Sequence, residues 1–337
     1  MTRKPATIKE IARRLNVSVS TVSRALHDHP SIGAITKQHV RDLATALNYQ
    51  PNQAAISFKQ GKTFTIGVIL PNLGEEFFSM AVNAIEDVAT ENNYTVLIGQ
   101  SRDVLQREIH LTETMQRHRV DGLIVSLSKN SNRFEHFQRL KNAGIPVVFF
   151  DRVPDLRDAY RVSCDLRKAA EELVSFLISQ GQRKIAFIKG PDEMLPSMER
   201  LRGYQRGLHA NHIPIDESYI VQSDLTREST HAAMQSLLSL TDPPGAVISF
   251  NDYVALDAMQ YAKQAGLKIN TDIHFVSFAN LPITTYLADR PLASVEQFPY
   301  RQAEQAMELL LKLIGGEVPD TASRQILLEG EVVVRSC

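Results

Sequence analysis

The chain has 337 residues, 43% hydrophobic and 22% charged, with a formal net charge of −1 at neutral pH. That length allows two or three domains and an ample core. The composition excludes a collagenous, low-complexity or disulfide-stapled chain, since only Cys164 and Cys337 carry thiols.

Two cysteines without a framework fit a reducing compartment. The opening MTRKPATIKE lacks the apolar run of a signal peptide, and no stretch of about 18 apolar residues occurs anywhere. The expectation is a soluble, cytoplasmic protein. The small net charge hides an asymmetry. Residues 1–62 hold ten Lys and Arg against three acids, a net of +7, while the remainder holds 27 basic against 35 acidic residues, a net of −8. A basic head on an acidic body points to a polyanion as partner for the head alone.

The first elements lie in Thr7 to Leu26, TIKEIARRLNVSVSTVSRAL. Thr7 with Glu10 three residues on makes a capping box, and Ile8, Ile11, Ala12 and Leu15 fall at helical spacing. Asn16-Val17 supplies a turn, and Ser18 suits the N-cap of a second helix, Val19–His27. On that helix Val22, Ala25 and Leu26 face inward, and Val19, Ser20 and Arg24 lie on the opposite side. Short polar side chains near a helix start, with an Arg one turn on, suit entry into a major groove. A third helix spans Ile35–Leu47, with Gly33 as a weak cap and Val40, Leu43, Ala44 and Leu47 on one face. Asn48-Tyr49-Gln50-Pro51 closes this headpiece, because a residue before proline is pushed out of helical geometry. Tyr49 is placed to cover the three-helix core. Residues 52–62, NQAAISFKQGK, read as a short linker, too brief for a stable helix on its own.

From Phe64 the texture changes. Strands are predicted at 64–70, 95–99, 122–127, 146–150, 161–164, 184–189, 246–250 and 274–278. Helices are predicted at 78–92, 104–117, 165–180, 199–210, 227–239, 252–265 and 300–314. The strands are continuously apolar, which means burial on both faces and parallel sheets. Alternation over about 270 residues gives a doubly wound α/β body, too long for one comfortable core, so two sheets are expected. Ligands in such sheets bind at the carboxyl ends of the strands. The loops after Leu70, Gly99, Phe150, Gly190, Phe250 and Phe278 are therefore expected to line a cleft.

Catalytic signatures are missing from this pattern. There is no G-x-S-x-G elbow, phosphate-binding glycine loop or H-E-x-x-H, and the ten histidines have no metal-ligand spacing. His27 and His29 read as solvated loop residues. Asp151-Arg152 follows a strand without a nucleophile or paired acid, so a ligand contact or structural ion pair is the better reading. No catalytic residue, cofactor or metal site is expected, and the chain is not read as an enzyme.

The headpiece string Thr7-Ile8-Lys9-Glu10-Ile11-Ala12, Val17-Ser18 and Thr21-Val22-Ser23-Arg24-Ala25-Leu26 resembles that of the lactose-repressor (LacI/GalR) family of bacterial transcription regulators. The likeness continues through Val40, Leu47-Asn48-Tyr49 and Pro51-Asn52. In the body it runs through Ile66-Gly67-Val68, Phe77-Phe78, Asp121-Gly122, Pro146-Val147-Val148, Asp151-Arg152, Asp165, Arg200, Gly203-Tyr204, Asn251-Asp252 and Val333-Val334-Arg335-Ser336. The resemblance implies a helix-turn-helix DNA-binding headpiece at 1–51, a hinge helix or linker at 52–62, and a periplasmic-binding-protein-like body at 63–337. The body's first subdomain is expected at 63–163 and 293–323, its second at 164–290 and 324–337.

The resemblance also implies a homodimer on a pseudo-palindromic operator and a small-molecule effector, a sugar or sugar derivative. Base-reading positions fall on Val19, Ser20 and Arg24, with Arg24 suited to guanine O6 and N7. Thr21, Ser23, Arg41 and Lys59 suit phosphates. Phe58 stands where the family carries a minor-groove leucine. Effector contacts map onto Phe77, Phe78, Arg152, Arg200, Asn251 and Ala279. Ala279 replaces the family's usual acid, so with Arg152 and Arg200 nearby the cleft is expected to be net positive and to prefer an acidic sugar. The overall expectation is an effector-controlled repressor. The alternative, a transporter's solute-binding protein, shares the body but has no use for residues 1–62.

Overall fold

A computed structural model describes residues 6–50, 61–317, 320 and 324–335. The expected hinge positions Phe58 and Lys59 lie outside them. The chain divides into two compact units with the boundary between Thr63 and Phe64.

The first unit holds α1 (Ile8–Leu15), α2 (Val19–Leu26) and α3 (Ala34–Ala46). Thr7 caps α1 through its hydroxyl, which accepts from the Glu10 amide at 3.3 Å. The Glu10 carboxylate does not follow the capping-box expectation. Arg13 at 2.9 Å and Arg14 at 2.8 Å hold it, because both lie one turn further along the same face. Asn16 ends α1 in the left-handed region at φ 53°, which asparagine tolerates better than most residues. Ser18 then starts α2 by accepting from the Thr21 amide at 3.0 Å. Ile11, Ala12, Val22, Ala25 and Val40 are buried together, with Tyr49 packed half-buried against them as expected.

The second unit contains two six-stranded sheets. The strands are β1 (Thr65–Leu70), β2 (Thr95–Gln100), β3 (Gly122–Val125), β4 (Val147–Phe150), β5 (Tyr160–Cys164) and β6 (Ile185–Lys189), then β7 (Ile220–Gln222), β8 (Ala246–Ser249), β9 (His274–Phe278), β10 (Ala293–Glu296), β11 (Gln325–Leu328) and β12 (Glu331–Val334). The helices are α4 (Glu76–Glu91), α5 (Leu105–Arg117), α6 (Glu135–Asn142), α7 (Leu166–Ser179), α8 (Leu195–Ala210), α9 (Arg227–Leu238), α10 (Asp252–Gln264) and α11 (Pro299–Ile314). The first sheet runs β11-β5-β4-β3-β1-β2 and is parallel throughout. The second runs β12-β10-β9-β8-β6-β7, with β12 antiparallel at its edge. Each sheet, with its helices, forms one lobe.

The subdomain limits need correction. Residues 293–296, expected in the first lobe, pair as β10 with β9 in the second. Residues 325–328, expected in the second, pair as β11 with β5 in the first. The chain therefore crosses between lobes after Cys164, after Glu296 and between Leu328 and Glu331. The crossings touch one another at Gly330. A Cβ there would meet Val295 Cγ1 at 2.9 Å, Cys164 Sγ at 3.0 Å and the Glu296 carbonyl at 3.3 Å.

In the second lobe α7 and α8 pack backbone to backbone. Gly203 makes this possible, since a Cβ would lie 2.2 Å from the Arg167 carbonyl and 2.7 Å from Ala170 Cβ. Such a clash with main chain is relieved only by separating the helices. Gly203→Ala is expected to lower body stability by about 1–3 kcal/mol, the range for overpacking, measured by urea denaturation. An unchanged midpoint would mean that the helices are free to part.

Candidate functional site

Two arrangements concentrate the residues singled out by the sequence. The first is the exposed side of α2. Burial of Val22 and Ala25 against α1 and α3 fixes the rotation of the helix, so Val19, Ser20 and Arg24 face solvent. Val19 stays 41% exposed, an unusual position for a valine at a helix start and one suited to apolar contact with a base. The Ser20 hydroxyl lies 2.7 Å from Ser18 Oγ, so the cap and its exposed neighbour share a hydrogen bond. Thr21 Oγ1 also meets Ser18 Oγ, at 2.8 Å, and Ser23 is half-buried. Arg41, expected on a phosphate, donates instead to Asp28 at 2.9 Å, and Lys37 approaches the same oxygen at 3.1 Å. Lys37 first, then Arg41, hold the Asp28 carboxyl below its usual range. Asp28 is well exposed, so a phosphate can displace it at little cost.

The second arrangement is the cleft between the lobes, at the carboxyl ends of the strands. Phe77, Phe78, Arg152, Arg200, Asn251 and Ala279 all line it. The loops after β1, β4, β6, β8 and β9 bring them together. Glu75, Asp151 and Gln297 join them. The remaining space is only about 30 Å³, room for about one water, so the lobes stand closed on one another.

Arg200 dominates the electrostatics. It is 3% exposed, with its guanidinium carbon 4.3 Å from the ring centre of Phe250 and 4.6 Å from that of Phe278. Nη2 donates to Gln297 Oε1 at 3.1 Å, and Nε and Nη1 have no hydrogen-bond partner among the described residues. Burial pulls its pKa down to about 10, against the pull of Asp151. Arg152 is different, because its Nη1 is bonded to Asp103 at 2.6 Å. Burial alone would lower its pKa, but Asp103, Glu75 and Asp151 together raise it. Burial lifts the carboxyls of Asp151 and Glu75 above their usual range. Arg152 opposes both shifts, and Arg200 also opposes that of Asp151.

The expected net positive cleft is thus corrected. Two guanidiniums meet three carboxylates, of Glu75, Asp103 and Asp151, which lie far from them in sequence or were read only as a local pair. Asn251 caps α10, its Oδ1 accepting from the Val254 amide at 2.9 Å, so its carbonyl oxygen is committed to the helix. Phe77 and Phe78 pack edge to face at 5.3 Å and belong as much to the first lobe's core as to the cleft wall. Ala279 and Asp151 adopt left-handed backbone, at φ 95° and 56°. Non-glycine residues held there store strain, which is tolerated at functional sites. A roomier hollow of about 560 Å³ lies beside α6 on Phe134, Phe137, Phe149 and Tyr160. It gathers none of the expected DNA or effector contacts, whereas the cleft has convergent polar groups with shifted pKa values.

The family model for bacterial regulatory proteins of the lacI family matches residues 7–52, and that for the periplasmic binding protein domain matches 66–317. The HTH-type transcriptional repressor CytR of Escherichia coli (strain K12) is 33% identical over 330 residues, 98% of this chain and 95% of that protein. The transcriptional regulator CelR in complex with cellobiose is 25% identical, with TM-score 0.74 over 98% of this chain and 99% of that one. The lac repressor dimer bound to operator and the anti-inducer ONPF shares the fold, with TM-score 0.85, 24% identity and 98% of both chains covered.

The strain at Ala279 has a measurable consequence. Ala279→Gly is expected to stabilise the body by about 1 kcal/mol, since glycine adopts this φ without penalty. Chemical denaturation checks it, and a loss of stability would show that the alanine methyl packs well enough to outweigh the backbone.

Proposed function

We propose that this chain, which belongs to the lacI family of bacterial regulatory proteins and is a DNA-binding transcription regulator, represses its targets as a homodimer on a pseudo-palindromic operator. The exposed side of α2 carries this reading. Arg24 would read guanine, Val19 a thymine methyl and Ser20 a neighbouring base edge. Thr21, Ser23, Arg41 and Lys59 would hold phosphates. Phe58 would wedge the minor groove, repaying the unstacked step through contact with bent DNA. Self-association is supported by exposed apolar side chains on both lobes. Tyr286 is 84% exposed, and Leu73 and Ile283 are exposed as well. The Ile283 amide bonds across to Glu76, at the start of α4, at 3.0 Å. Arg24→Ala is expected to cost about 1–3 kcal/mol on the operator and to relax one base pair per half-site. Selection of binding sites from random DNA checks it. An unaltered consensus overturns the assignment.

The effector that fits the cleft is a small polyhydroxylated molecule bearing one carboxylate. The observation that carries this is Arg200, a buried cation with two unpartnered nitrogens, which an anion would satisfy. Glu75 and Asp151 would serve the hydroxyls. CelR, with cellobiose in its complex, is the neutral-sugar counterpart. The pH dependence follows from sign. Glu75 and Asp151 have raised pKa values, so lowering the pH toward those values neutralises them and removes their repulsion of an incoming carboxylate. Affinity for D-galacturonate is therefore expected to rise as the pH falls from neutral toward the carboxylate range, with proton uptake, while that for D-galactose does not rise. Calorimetry in buffers of different ionisation enthalpy reads both. Equal or better binding of galactose across that range rejects the acidic effector.

A further inference from the structure

The closed cleft is fastened at a place that no cleft-lining residue occupies. Lys129, in the loop after β3 of the first lobe, donates from Nζ to the Asp224 carbonyl of the second lobe at 2.8 Å. Both ends of this bond are built. The Lys129 amide donates to Asp103 Oδ1 at 2.9 Å, and the same oxygen takes Arg152 Nη1 at 2.6 Å. One carboxylate oxygen thus joins the cleft arginine to the lysine's own backbone.

The loop carrying Lys129 is anchored beneath by Glu108, which has no exposed surface. Its carboxylate accepts from the Ser128 amide at 2.7 Å and the Ser131 hydroxyl at 2.7 Å, and His136 Nε2 lies at 3.2 Å. Ser128 Oγ donates in turn to Ser101 at 2.8 Å. On the far side Asp224 sits in a turn that caps α9. Its Oδ1 accepts from the Thr226 amide at 2.9 Å, and its own amide donates to Ser229 Oγ at 3.0 Å. The acceptor carbonyl therefore does not wander to meet the lysine.

We propose that Lys129 is a closure residue of the cleft, a positioning residue whose bond to the Asp224 carbonyl helps to hold the two lobes together, beside the bond of the Ile283 amide to Glu76, and whose backbone, through Asp103, ties that closure to Arg152. The proposal rests on the reading of the cleft as the effector site and supplies its regulation. Opening the cleft for a ligand breaks the Lys129 bond. A ligand acid that draws Arg152 away from Asp103 leaves that oxygen to the Lys129 amide alone and strengthens the contact that aims Lys129, so occupancy and closure are coupled through one shared oxygen. Screened by solvent, an exposed lysine-to-carbonyl bond is worth no more than an ordinary hydrogen bond, about a five- to tenfold shift in the closed-to-open ratio.

The test reads lobe separation in the full chain without ligand. Spin labels at Gln106→Cys on α5 and Glu228→Cys on α9, both exposed, report the distance by pulsed electron resonance. Cys337→Ser removes the terminal thiol, and buried Cys164 stays unlabelled. Lys129→Met is expected to move population from a short to a longer distance by about five- to tenfold, and Lys129→Arg, which keeps the donor, to stay closed. A Lys129→Met distribution matching that of the native lysine overturns the proposal. So does a Lys129→Arg distribution as open as that of Lys129→Met, since packing rather than the donor would then be the cause. Because no effector is present, this result stands apart from the galacturonate titration. Failure of the sugar acid to bind would reject the effector class without altering the measured distances.

Discussion

The body is arranged around a cation that has been taken out of water. A guanidinium between two phenyl rings, with two of its nitrogens unanswered, is expensive to keep, and proteins seldom leave a buried charge unpaired. Phe250 and Phe278 offset part of that cost by presenting their faces to Arg200. Asp151 supplies a distant counter-charge, and its own burial makes it a weak one. Arg152 is the contrasting case. Its charge is neutralised at once by Asp103, so it is a structural pin within the first lobe before it is a ligand contact. Two arginines that look alike in the sequence thus hold different offices, and the difference comes from partners that are distant along the chain.

That contrast marks how far the sequence could be read. Caps and apolar periodicity are local properties, and they placed the three headpiece helices and most body strands to within a residue or two. Elements without a strong local pattern were missed. Helix α6 carries mostly polar side chains, burying only His136, Phe137 and Leu140. Strand β7 has three residues, and β11 and β12 are short edge strands with mixed exposure. β10 contains a buried serine, Ser294, whose hydroxyl is satisfied by the fully buried Asp252 at 2.8 Å. A four-residue strand has no feature in its own sequence that says which sheet it joins, and this is why the membership of β10 and β11 was exchanged. The cleft loops were legible, because strand ends in a doubly wound sheet face the ligand wherever the chain leads afterwards. The charge balance was not, since Asp103 and Glu75 reach the site only through folding.

In the headpiece the same limit shows in reverse. The exposed side of α2 was visible from periodicity alone, yet polar side chains on it and beside it are already engaged. Ser20 shares the helix cap, and Asp28 occupies Lys37 and Arg41. These contacts are exposed and weak, and they keep donors oriented without making them unavailable. The net positive charge of residues 1–62 is thereby partly screened at short range but still acts as a whole at the distance where a polyanion is first met.

The three crossings near Gly330 bear on the order in which the chain can fold as it is made. The headpiece core is complete once Tyr49 has been synthesised, because its contacts are all local. The first lobe has no such independence. Its core includes Ala303, Ala306, Met307 and Leu310 from α11, and its sheet is finished only by β11. During synthesis the second lobe's strands β6 to β9 emerge while the first lobe still exposes the faces that α11 will cover. Neither lobe corresponds to a continuous stretch of chain, so neither can be cut out, fused or inherited separately. The last dozen described residues complete both sheets, β11 at the edge of the first and β12 at the edge of the second.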